Sequence, residues 1–210
     1  NQMAVRAADA VIAEPGHRYN PLFLAGPSGV GKTHLLNAIG NELARRGGAN
    51  YSVACVGAQL FIDELIAALQ DGTIERFRAR YRAADALLLD DVQFVGGKER
   101  TQDELFHVFN HFHAAGKQLV FASDVPPKQL EGLEERLRSR FEGGLVAELN
   151  APDRTLRENR WNATAACTTK LNANRDGGQI SMVHCTSCGP STPANMPPAI
   201  THETALGRNA

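Results

Sequence analysis

The chain has 210 residues and a formal net charge of −1, enough for one α/β domain of ordinary size with some chain to spare. The near-neutral balance excludes a global basic field, so any nucleic-acid binding has to come from a local patch. No apolar run reaches the roughly 18 residues of a membrane-spanning helix, no signal peptide opens the chain, and three of the four cysteines (Cys55, Cys167, Cys185, Cys188) lie in the last quarter; together these argue for a reducing, cytoplasmic setting.

The chain opens on Asn1 rather than methionine, so upstream sequence is expected. Residues 2–13 are Ala-rich, with Met3, Ala7, Ala10 and Val11 at helical spacing, and Pro15-Gly16 stops that helix. A buried strand is expected over 22–26, and then a helix over 32–46 with Leu35, Leu36, Ile39 and Leu43 on one face. Residues 51–58 are β-rich, 59–70 form an amphipathic helix, and 73–84 a second, basic one. "ALLLDD" (86–91) reads as another buried strand, 101–116 as a helix, 117–124 as a third central strand, 133–141 as a helix and 144–149 as a last strand. The strands are continuous apolar runs that alternate with helices. That is the pattern of a parallel sheet covered on both faces.

"GPSGVGKT" (26–33) sits between a strand and a helix and fits G-x-x-x-x-G-K-[ST], the phosphate-binding loop of P-loop nucleotidases. Gly26, Gly29 and Gly31 let the backbone bend around an anion. The backbone of Pro27, Ser28, Val30 and His34 joins them, with the helix N-terminus facing the phosphates. Lys32 would reach the β- and γ-phosphates of ATP, and the Thr33 hydroxyl would ligate Mg²⁺. The plain alternative is a glycine-rich turn. Asp90 and Asp91 end the strand 86–91. Set on a strand beside the loop strand, Asp90 would hold Mg²⁺ and Asp91 would polarise the attacking water. Aspartate is one methylene shorter than glutamate, which suggests slow hydrolysis. An acidic helix cap is the alternative for such a pair. Asp124 ends the 117–124 strand, which could lie between the other two and place a polar group beside the γ-phosphate; a turn-initiating Asp before Pro126 is its alternative. The helix arginines Arg76, Arg78, Arg80 and Arg82 read as solvated groups and partners for nearby acids.

These stretches, with "TIERFRARYRAADALLLDDVQFVGGKERTQDELFHVFN" and "GKQLVFASDVPPKQLEGLEERLRSRFEGGLVAEL", resemble the AAA+ ATPases, and among them the bacterial replication initiators, over residues 1–158. The resemblance implies a P-loop NTPase fold and assigns Lys32, Thr33 and Asp90 to ATP and Mg²⁺. It makes Asp124 a γ-phosphate sensor. Arg136 and Arg140 become the residues that reach a neighbouring subunit's ATP, so that assembly would depend on nucleotide. It also assigns Lys98, Arg100 and Thr101, with Ile66 as an apolar contact, to single-stranded DNA at a replication origin. So few charges per subunit would need several subunits side by side. An acidic phospholipid surface is a further partner that the resemblance allows but no residue here specifies.

Beyond Glu158 the pattern is lost, and 159–210 read as an irregular tail. No lid helices, second sensor arginine or duplex-reading helix-turn-helix are recognisable there. His184, Cys185 and Cys188, with Cys167 and His202, make a weak zinc candidate that lacks a second tight pair. An initiator-related adaptor without DNA binding, or an inactive fragment, are the competing readings.

Overall fold

A computed structural model describes residues 1–150. The chain runs α1 (Gln2–Ala13), β1 (Leu22–Ala25), α2 (Lys32–Gly47), β2 (Val53–Gly57), α3 (Ala58–Gln70), α4 (Ile74–Arg82), β3 (Ala86–Asp90), α5 (Glu99–Ala114), β4 (Gln118–Ser123), α6 (Glu135–Glu142) and β5 (Leu145–Glu148). The five strands form one parallel sheet in the order β2-β3-β4-β1-β5. The expected doubly covered sheet is therefore present.

The apolar runs have a physical reason. Successive strand side chains point to opposite faces, and both faces are buried. Leu22, Leu24, Val53, Ala86, Leu88, Val120 and Ala122 pack with residues of α1 and α2. Phe23, Leu87, Leu89, Leu119 and Phe121 pack with residues of α3 to α6. On that second face the ring of Phe121 lies 4.6 Å from Phe141 and 6.2 Å from Phe109, seating α6 and α5 on β4. Helix α4 is tied to its neighbours by charge: Arg78 pairs with Glu104 of α5, and Arg80 with Glu64 of α3. Tyr81 Oη also donates to Glu64 Oε2 at 2.8 Å. Arg76 and Arg82 form no carboxylate pair among the described residues, so the partner role holds for two of the four arginines.

Three expectations need correction. β4 lies between β1 and β3, the placement that the sequence left open to the 117–124 strand, so the acid-bearing strand is not adjacent to the loop strand. Strand β3 ends at Asp90; Asp91 is left-handed, with φ 56° and ψ 44°, and turns the chain into a short 3-10 segment, Val92–Val95. Asp tolerates that conformation better than most residues because its short polar side chain bonds locally. Helix α5 starts at Glu99, two residues before the expected 101, so Arg100 joins Thr101 in its first turn.

Parallel strands end at one edge of the sheet, which collects Gly26, Asp90 and Asp124 there. The last β1–β4 pair is Ala25 with Ser123, so Gly26 and Asp124 follow side by side. Behind this edge a buried amide links three segments. Gln102 Nε2 donates to Val95 O at 3.2 Å and Gly132 O at 2.8 Å, while its Oε1 accepts Glu134 N at 2.8 Å, the residue before α6. The residues beyond 150, including the Pro152-Asp153 segment, the 159–210 tail and the zinc candidate, lie outside the described residues. No helix among the described residues is long and apolar enough to cross a membrane.

Candidate nucleotide site and nucleic-acid groove

The turn between β1 and α2 is shaped by its glycines in two different ways. Gly29 and Gly31 have φ of 82° and 100°, a region that side chains resist, and Gly31 is the N-cap of α2. Gly26 is needed for proximity: a Cβ there would stand 2.2 Å from the Leu149 carbonyl oxygen, beyond β5. Val30 is buried, so only its backbone serves the turn.

Lys32 is 6% exposed, a burial that a lysine tolerates only with partners. Its Nζ donates to Gly26 O at 2.8 Å, Pro27 O at 3.1 Å and Asp124 Oδ1 at 2.6 Å. The loop lysine and the residue after β4 are thus in direct contact, although 92 positions separate them. On the far side of Asp124 stands Gln93, whose Nε2 lies 3.4 Å from Asp124 Oδ2 and 3.1 Å from Asp91 Oδ1. Asp90 Oδ1 accepts the Asp91 N–H at 3.0 Å.

These groups surround an open cleft of about 640 Å³ lined by Ser28, Lys32, Thr33, His34, Asp91 and Asp124, among others. Asp90, the residue before the cleft-lining Asp91, is itself buried and does not line the cleft. Its carboxylate reaches β2 electrostatically: the Cys55 thiol is pushed up to about 11, first by burial and then by the Asp90 charge. Asn37, Gln93 and Phe94 also line the cleft and were not singled out in the sequence. Asn37 was legible as the residue one helical turn below Thr33; nothing local marks Gln93.

The donors that suit Mg²⁺ at this end of the sheet are the exposed Thr33 hydroxyl and the buried Asp90 carboxylate, whose Oδ1 accepts the Asp91 N–H. Two hard oxygens suit a cation that keeps several waters and takes its other ligands from phosphates. No cluster of three or more His, Cys, Asp or Glu exists among the described residues, so a metal cage built from protein alone is not what the donors suit.

A second, shallower groove of about 510 Å³ lies between α3 and the start of α5. Ile66, Lys98, Arg100 and Thr101 all line it, with Gln59 and Ile62. Ile66 is 47% exposed, an apolar side chain facing solvent. Lys98 and Arg100 pair with no carboxylate among the described residues, unlike Arg78 and Arg80. Thr101 is buried at the base, so less of it is accessible than a surface hydroxyl would offer.

Arg136 and Arg140 are exposed on α6, and both guanidinium groups stand over the Phe106 ring, at 4.9 and 5.9 Å. They are not equivalent. Arg136 pairs with Asp103 and with Glu134; Arg140 has no carboxylate partner among the described residues and leans on Phe106 and Phe109.

The family described as "Bacterial DnaA ATPAse domain" matches residues 1–148. The chromosomal replication initiator protein DnaA of Thermus thermophilus is 46% identical over 180 residues, covering 86% of this chain and 39% of that protein. The chain therefore spans about two-fifths of that relative's length. Domain III of the Thermotoga maritima replication initiation protein DnaA superposes with a TM-score of 0.73 at 43% identity, covering 76% of this chain and 66% of that one. A structure described as "Replication initiator DnaA bound to AMPPCP and single-stranded DNA" superposes with a TM-score of 0.68 at 46% identity, covering 71% and 46%. With the family matched over residues 1–148 and a relative 46% identical over 180 residues, the chain belongs to the bacterial DnaA ATPase-domain family.

Proposed function

We propose that residues 1–158 form an ATP-dependent replication-initiator core that binds Mg-ATP, assembles head to tail, and grips single-stranded origin DNA. The observation that carries the reading is the pair of separate sites: a cleft built around Lys32 and Asp124, and a groove that gathers Ile66, Lys98, Arg100 and Thr101. Support for the two ligands comes from the DnaA structure that holds an ATP analogue and single-stranded DNA together.

In this reading the loop amides and Lys32 hold the β- and γ-phosphates. Thr33 and Asp90 would hold Mg²⁺, which draws charge from the phosphate oxygens when bound. Asp91 takes a proton from the attacking water as its oxygen bonds to the γ-phosphorus. The bond from that phosphorus to the β–γ bridging oxygen breaks, and its electron pair leaves with ADP. Asp124 reads whether the γ-phosphate is present, because phosphate and Asp124 compete for the Lys32 ammonium. Arg140, and Arg136 once freed from Asp103 and Glu134, would meet the phosphate of a neighbouring subunit. Hydrolysis would then loosen the assembly and its hold on DNA.

The test is Mg-ATP binding to the 210-residue chain, with Lys32→Ala as control. Binding that the substitution abolishes supports the reading. Binding that survives it, or no binding by either chain, refutes it. Single-stranded DNA that fails to bind at any ATP concentration would leave the adaptor reading in its place.

A further inference from the structure

Gln93 is a cleft residue that none of the assigned roles uses, and its contacts are specific. The Asp124 N–H can only donate, so the Gln93 atom facing it at 3.4 Å is the amide oxygen. That fixes the other end: the Gln93 NH₂ faces Asp91 Oδ1 at 3.1 Å and Asp124 Oδ2 at 3.4 Å. With Asp124 Oδ1 on Lys32 Nζ at 2.6 Å, the chain of contacts runs Lys32–Asp124–Gln93–Asp91 without a break.

Two carboxylates flanking a polyphosphate repel it and each other. A neutral group that donates to both offsets part of that repulsion without adding charge. It also holds one Asp91 oxygen, and so limits rotation of a carboxylate on a left-handed backbone that no neighbouring strand supports. A lysine here would neutralise the base; a glutamate would add a third negative charge.

From this geometry we infer that Gln93 is a positioning residue for ATP hydrolysis, aiming the Asp91 carboxylate at water and tethering it to Asp124, the carboxylate that Lys32 holds until phosphate takes its ammonium. The inference rests on the ATPase reading above and assigns that site a further part. The side chain is only half-buried, so its replacement should not unfold the domain.

The test uses the full chain. Single-turnover hydrolysis and equilibrium binding of a fluorescent ATP are measured for the parent, Gln93→Leu, Gln93→Glu and Asp91→Asn. Gln93→Leu should slow hydrolysis about ten- to a hundredfold while ATP affinity stays within about threefold, the split expected when orientation is lost and binding is kept. Gln93→Glu should be slow at pH 8 and recover toward pH 5, where a protonated carboxyl can donate again. A readout without nucleotide is the ¹⁵N side-chain amide of Gln93, assigned as the pair missing in Gln93→Leu. It should shift in Asp91→Asn and in Asp124→Asn. Gln93→Leu hydrolysing within about twofold of the parent, or losing rate and affinity together, overturns the inference, as does an amide signal indifferent to both aspartates. If Asp91→Asn is slow while Gln93→Leu is normal, only the role of Gln93 falls. If Asp91→Asn hydrolyses like the parent, the base assignment falls with it.

Discussion

Replacing Lys98 and Arg100 together by alanine removes the two cations that line the groove beside Ile66. Neither is held by a carboxylate among the described residues, so both are available to phosphates. Each phosphate neutralised on a single strand contributes about 0.7 to the slope of log affinity against log salt, so the double variant should lose about 1.4 per bound subunit. Between 50 and 200 mM salt the parent should therefore weaken about sevenfold more than the variant for each subunit bound. Thr101 carries no charge; Thr101→Val should weaken binding without changing the slope. Anisotropy of a labelled oligothymidylate with a non-hydrolysable ATP analogue reads both quantities. Affinity for the nucleotide should be unchanged, because the groove and the cleft share no lining residue. A double variant that keeps the parent's salt slope would refute the groove as the DNA site. Equal loss of nucleotide and DNA binding would refute the division into two sites.

Two further outcomes follow from the charges. Arg140→Ala should abolish ATP-dependent assembly, read by light scattering after gel filtration, and yet leave the fold intact. Its contacts with Phe106 and Phe109 are exposed cation–π contacts worth about 0.5–1 kcal/mol, which for a domain of this size is a melting shift of under about 4 °C. Assembly like the parent's would remove Arg140 from the interface. The Cys55 thiol, pushed up to about 11, gives a pH effect of definite sign. The unfolded chain sheds that proton from about pH 9, the folded chain only near 11, so the unfolded state binds fewer protons in between and stability falls as pH rises. Cys55→Ala should make that fall shallower in urea titrations at pH 9 and 10.5; an identical fall would show that the thiol is not held up.

Much of this protein was legible from local pattern. The loop "GPSGVGKT" and the helix after it need only a few adjacent residues to be recognised. The strands could be read because burial on both faces leaves no room for polar alternation. Element ends moved by a residue or two, since helix termini are set by capping and not by periodicity. The αL turn at Asp91 was not legible: it depends on how the chain leaves β3, and Asp is compatible with either conformation.

By itself, then, the sequence determined the alternation of buried strands and helices, the phosphate loop, and the family to which the chain belongs, because each is written in neighbouring residues. Only the tertiary structure decided which partners those residues meet. It inserted β4 between β1 and β3, and so brought Asp124 to Lys32 across 92 positions. It gave Arg78 and Arg80 carboxylates from α5 and α3 but left Lys98 and Arg100 without one among the described residues. It also set the Gln93 amide between Asp91 and Asp124. The physical reason is that a charge or an amide acts over a few ångströms of space, and the order of strands, not the order of residues, sets those distances.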